Sequence, residues 1–313
     1  MSGSRAIRRG VSAFLLTFVA APLLAQGPAN RAAAVVNGEA IPMSEVQAIL
    51  DERPPPVALP KQQQEEMRRA ALNMLIDDAL MRQFLRKTMA APTQAEFNHE
   101  MNELLDVLKK QNKTLEQFLR EGKQTQEQLR VDIVSKLQWK AYLQKRLPDA
   151  SIKSYFDQNR IFFDKVMVRA SHILVKVKPN ATPQEKQAAL NRIQTIRNEI
   201  MTGKVDFAEA AKKYSDCPSK SKGGDIGMFP YKFAVVEPFA KAAFAMKIND
   251  VSGVITTDFG LHVIKVTGRT QPEPANFEAI KDGVREVYAQ DLDLYQQILG
   301  QQRKTSTVEV MMK

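Results

Sequence analysis

Residues 214–230 read YSDCPSKSKGGDIGMFP and form the densest part of a longer stretch, Ser171 to Thr267, around which the chain is organised. The one cysteine, Cys217, lies inside it. Two of the three histidines stand at its flanks, His172 in the run 168–177 (VRASHILVKV) and His262 in the run 261–267 (LHVIKVT). Both runs are β-branched, near-alternating and of strand length, so they predict strands. Between them fall a helix-like segment, the turn Gly223-Gly224-Asp225 and an apolar helix from Pro238 to Met246. Strands bounding helices imply one compact α+β unit of about a hundred residues.

Upstream, residues 1–25 read as a cleavable signal peptide. Arg5, Arg8 and Arg9 precede the uncharged apolar run 11–24 (VSAFLLTFVAAPLL), and Ala25 is a small residue at the cleavage position. The run is shorter than the roughly 20 residues a membrane span needs, although an uncleaved anchor is the alternative. No cysteine follows it, so there is no lipid-attachment box. The expected location is extracytoplasmic, with the periplasm preferred. The formal charge of +10 includes the three signal arginines. A moderately basic exported protein is expected to associate loosely with anionic envelope surfaces. No Lys/Arg run is interleaved with aromatics, which argues against nucleic acid. A single cysteine permits no intramolecular disulfide in an oxidising compartment, so Cys217 is either buried structure or has a chemical task.

From residue 26 to about 165 the pattern is helical. Ala33 to Val36 and Asn37-Gly38-Glu39 read as a short strand and turn. Ser44 with Gln47 opens a helix, prolines at 54–56 and 60 break it, and 61–88 carries Met67, Ala71, Met74, Leu75 and Leu80 at helical spacing. Thr93/Glu96, Thr114/Gln117 and Thr125/Gln128 open three more helices, and 149–159 a short last one. His99 stands alone in a polar helix and reads as a solvated side chain. After the proline-punctuated linker 270–274, residues 277–299 predict one amphipathic helix and 305–311 a strand.

The segments SHILVK (171–176), DFAEAAKKYSDCPSKSKGGDIGMF (206–229), EPFAKAAFAM (237–246) and TTDFGLHVIKV (256–266) resemble, in order and spacing, the parvulin family of peptidyl-prolyl isomerases. More loosely, VVNGEAI with its helices resembles the N-terminal domain of exported foldases of the SurA, PrsA and PpiC kind. These resemblances imply an α+β fold in which a parvulin-like domain, a small antiparallel sheet with surrounding helices, is inserted into an all-helical chaperone domain. The expected divisions are 26–165 for the helical domain, 166–270 for the isomerase, and 271–313 for a helix and strand completing the first. The closing strand is a candidate partner for Ala33 to Val36.

The resemblance also implies a site. The proline pocket maps to Ile226, Val235 and Phe239, with Phe259 beside it where many relatives carry a small polar residue. The family often has Met at the position of Val235, which implies a roomier or shallower pocket. The polar, catalytic floor maps to His172, Cys217, Thr257 and His262. Two roles stay open for the imidazoles, scaffold with electrostatic tuning or general acid–base work. No metal or other cofactor is implied, because rotation about an amide breaks no bond. The expected substrates are unfolded or extended proline-containing polypeptides, secreted or outer-membrane. Lys176 and Lys178 near the first loop lack the Arg pair that phosphate-directed relatives use. Two other readings remain: a binding-only chaperone with a weakly active or inactive parvulin domain, and a Cys-His hydrolase built on Cys217 and His262.

Overall fold

The structure is a computed structural model that describes residues 31–52 and 59–312. The expected signal at 1–25, the leader after it and the prolines 54–56 lie outside the described residues. The chain divides into two compact units, Met1–Ile152 with Lys281–Lys313, and Lys153–Ile280.

The first unit is helical around a three-stranded antiparallel sheet. Strand β1 (Ala32–Val36) lies between β2 (Glu39–Pro42) and β7 (Val308–Val310), so among the described residues the last strand pairs with the first, Val36 opposite Val308. Helix α1 (Met43–Glu52) follows β2, and α2 (Lys61–Thr88) buries Leu72, Leu75, Ile76, Ala79, Leu80 and Leu85 along one stripe. Helices α3 (Gln94–Lys110), α4 (Leu115–Glu121) and α5 (Gln126–Arg146) start at Thr93, Thr114 and Thr125, each with the reciprocal capping box its sequence predicts. His99 is exposed and pairs with Glu103 at 3.5 Å. Among the described residues no helix is long and apolar enough to cross a membrane.

The second unit takes in most of α6 (Asp149–Gln158), and α7 (Arg160–Phe163), β3 (Met167–Lys176), α8 (Pro183–Met201), α9 (Phe207–Tyr214), β4 (Asp225–Pro230), α10 (Glu237–Ala245), β5 (Ile255–Thr257) and β6 (Gly260–Arg269). Its sheet runs β4-β3-β6-β5, antiparallel throughout. Alternation along β3 sends Val168 and Ala170 to one face and Ile173 and Val175 to the other. On the first face they meet Phe239, Ala243 and Phe244 of α10, Phe229, and Ile264 and Val266 of β6. On the second, Ile193 and Ile196 of α8 and Phe207, Ala210 and Ala211 of α9 cover Val263.

One expectation needed correction. Residues 277–299 do not form one helix: α11 (Phe277–Asp291) and α12 (Leu294–Thr305) are separated at Asp293, whose φ is +51°. Asp tolerates the left-handed conformation, and neither Gly nor Pro marks the break. The glycine turn expected at 223–225 is present and runs directly into β4, a strand that Gly227 and Pro230 hide from any alternation test; pairing with β3 makes it a strand.

Candidate active site

His172 and His262 come from the two central strands. Register places His172 opposite Ile264 and His262 opposite Leu174, so the histidines are diagonal neighbours on one sheet face. Their rings lie nearly parallel, 16° apart with centroids at 5.3 Å, and the two Nδ1 atoms meet at 3.1 Å. Only one of those nitrogens carries the shared proton, because two N–H groups facing each other would repel. His262 Nε2 lies 2.8 Å from Thr257 Oγ1, which also accepts the Phe259 N–H at 3.1 Å. The chain Thr257–His262–His172 is therefore continuous. His172 Nε2 is buried with no hydrogen-bond partner among the described residues.

Phe239 covers this pair. Its ring meets both imidazoles edge-on, centroids 5.5 Å from His172 and 5.6 Å from His262, and is 3% exposed. Ile226 and Val235 pack, half-buried, on the cluster that holds it. Burial lowers the pKa of both histidines: that of His172 falls below the ordinary imidazole value, and that of His262, helped by the neighbouring ring, falls to about 4. Both rings are neutral at pH 7.

Cys217 is half-buried at the start of a short 3₁₀ turn, Pro218–Lys222. Its thiol has no hydrogen-bond partner among the described residues, and its N–H donates to Ser215 Oγ at 3.2 Å. Ser215, missed in the sequence, is 3% exposed and also accepts the Leu174 N–H at 3.1 Å, tying the cysteine segment to β3. Both nitrogens of His262 are engaged, by His172 and Thr257, so the cysteine–histidine dyad a hydrolase requires is absent among the described residues. Phe259 sits apart from the apolar cluster, 61% exposed at the turn between β5 and β6.

Gly224 fixes the floor. Its φ is +84°, its C=O accepts the His172 N–H at 3.0 Å, and a Cβ there would lie 2.4 Å from the His172 carbonyl oxygen. Only glycine permits that approach. A cleft of about 430 Å³ lined by Arg160, Ile161, Ile248 and Arg269 shares no residue with this site.

A family model described as the PPIC-type PPIase (rotamase) domain matches residues 172–268. The peptidyl-prolyl cis-trans isomerase Pin1 of Arabidopsis thaliana is 37% identical over 113 residues, 32% of this chain and 94% of that protein. The foldase protein PrsA of Clostridium botulinum (strain Loch Maree / Type A3) is 26% identical over 334 residues, covering 96% of this chain and 95% of that one. A crystal structure of peptidylprolyl isomerase (PrsA) from Bacillus cereus is 21% identical, covers 88% of this chain and 92% of its own, and superposes with a TM-score of 0.42. Identity at the level of the Arabidopsis protein, over nearly its whole length, places the chain in the parvulin family of peptidyl-prolyl cis-trans isomerases.

Proposed function

We propose that this isomerase is an exported foldase that turns X-Pro bonds in unfolded or extended polypeptides, with Phe239, Ile226 and Val235 gripping the proline ring. The observation that carries the site assignment is Phe239 edge-on to both members of a buried, neutral imidazole pair. The barrier to amide rotation is roughly 18–20 kcal/mol. At its top the amide has lost resonance and its nitrogen is pyramidal, but no bond to carbon or nitrogen has broken. An apolar slot that strips water from the amide, beside a fixed polar floor, favours the twisted form over the planar one. Lowering the barrier by ~4–5 kcal/mol gives roughly a thousandfold.

Neutral imidazoles held in a hydrogen-bonded chain support a tuning role over proton transfer. His172 Nε2, the buried ring nitrogen that no described residue satisfies, is the polar group we assign to the substrate amide. Cys217 joins this polar floor in the present reading through the resemblance to the family, and Thr257, 2.8 Å from Nε2, orients His262. Similarity to PrsA foldases along nearly the full chain supports protein clients and an exported setting. The periplasm and the signal peptide at 1–25 belong to this reading, as do a client-holding helical domain (26–165, completed by 271–313) and an isomerase domain (166–270).

The test is a proline-limited refolding assay with Phe239→Ala and Cys217→Ala, run beside an aggregation-suppression assay. Phe239→Ala is expected to lower kcat/KM by about tenfold or more through loss of the slot, while suppression of aggregation persists. Wild-type protein that accelerates refolding no better than Phe239→Ala would leave a binding-only chaperone.

A further inference from the structure

The slot depends on where Ile226 points, and Ile226 lies where the sheet is irregular. Strands β3 and β4 pair in one register through Arg169↔Met228 and resume at Ser171↔Asp225, so Ile226–Gly227 on β4 faces the single residue Ala170 on β3. At the same level β6 slips too, between Arg169↔Gly268 and Ala170↔Val266. Arg169 is thus the point of β3 at which both neighbouring strands carry an extra residue. Such bulges re-aim side chains beside active sites.

The bulge is held from the far side of the sheet. Gly227 has φ +75°, and its N–H donates to Asp225 Oδ1 at 2.9 Å. Arg169 grips the same carboxylate with two donors, Nη2 to Oδ2 at 2.6 Å and Nε to Oδ1 at 3.3 Å. That guanidinium holds the Asp225 carboxyl below the usual carboxylate range. The side chain of Arg169 alternates away from Val168 and Ala170, so it leaves on the face opposite Phe239 and is half-exposed. Exposed ion pairs add little to global stability, whereas a bidentate arginine fixes the geometry of what it holds.

We propose that Arg169 is a positioning residue for the proline slot: through Asp225 it locks the Ile226–Gly227 bulge so that Ile226 closes the slot beside Phe239. This rests on the assignment of Phe239, Ile226 and Val235 to the proline ring. The experiment measures kcat and KM on X-Pro tetrapeptides for the full-length wild type, Arg169→Ala, Arg169→Lys, Asp225→Asn, Phe239→Ala and the Arg169→Ala/Phe239→Ala double variant, with melting followed in parallel. Arg169→Ala and Asp225→Asn are expected to lose about five- to tenfold in kcat/KM, mainly as raised KM, with the melting temperature within a few degrees of wild type. Arg169→Lys recovers part of the loss, because an ammonium cannot match the two-pronged grip. In the Phe239→Ala background the arginine change has no further effect, since both act through one slot. Losses that multiply in the double variant, wild-type kinetics in Arg169→Ala, or a loss matched by a collapse in melting temperature would each overturn the proposal. Phe239→Ala at the wild-type rate would remove the slot assignment and this inference with it; an impaired Phe239→Ala beside a fully active Arg169→Ala removes the inference alone.

Discussion

Lowering the pH from 7 to 5 should destabilise the isomerase unit while leaving its site chemically intact. His262 is 4% exposed, and burial, then the adjacent ring, brings its pKa from 6.5 to about 4. In the unfolded chain the ring titrates near its ordinary value. Between those limits the unfolded state binds the extra proton, so the stability present above pH 6.5 is lost as the pH falls toward 4. By pH 5 the unfolded ring is almost fully charged and the folded ring still mostly neutral, a gap worth about 2 kcal/mol. The ceiling, reached only below pH 4, is about 3 kcal/mol. For a unit of this size 2 kcal/mol corresponds to a fall in Tm of ~10 °C, and His172, displaced in the same direction, adds to it. In the first unit the sign is opposite. Burial raises Glu45 to about 7 and Asp132 to about 8; their contribution is fully present below the ordinary carboxylate range and is lost as pH rises from there up to those values, so acid favours that unit. The assay is calorimetry from pH 8 to pH 4.5 on wild type and His262→Gln. The expected result is two transitions that diverge in acid, the isomerase transition moving less in the variant. A transition that stays level between pH 7 and pH 5, or a fall undiminished in His262→Gln, would refute the reasoning.

Gly224→Ala should be among the most damaging single changes in the isomerase unit. It combines a left-handed backbone with a Cβ 2.4 Å from the His172 carbonyl oxygen, and a loss of at least ~2 kcal/mol is expected. Denaturant unfolding measures it, and a midpoint equal to wild type would contradict the close approach. Thr257→Val removes the hydroxyl 2.8 Å from His262 Nε2 and leaves a nitrogen of a buried ring unpaired; destabilisation of about 1–2 kcal/mol is expected. Imidazole NMR should then show exchange broadening of His262, and an unchanged ring spectrum would remove Thr257 from the chain.

Part of the candidate site's framework was legible because the segments that carry it lie in strong local patterns. The alternating runs at 168–177 and 261–267 declared strands, and once those strands pair antiparallel their histidines can share a face. The threonine–Glu/Gln spacings at 93, 114 and 125 declared helix starts, since a capping box is satisfied within four residues. Arg169, Asp225 and Ser215 were not legible. Each reads as an ordinary polar residue until the sheet brings Asp225 beside Arg169, and Ser215 beside the Leu174 N–H. Phe259, grouped with the pocket by resemblance, stands out in solvent because it lies in the two-residue turn that joins β5 to β6.

What the amino-acid order alone determined was therefore short-range: which segments coil, which extend, which face of each is apolar, and that a cysteine and two histidines belong to one α+β unit. Periodicity and capping depend on neighbours a few positions away. The tertiary structure decided what depends on partners far along the chain. It set the register that makes His172 and His262 diagonal neighbours and the bulge that re-aims Ile226. It also paired residues 308–310 with 34–36, and buried the two imidazoles deeply enough to keep them neutral. Register and desolvation are properties of the assembled sheet and its covering helices, and no single stretch of residues contains them.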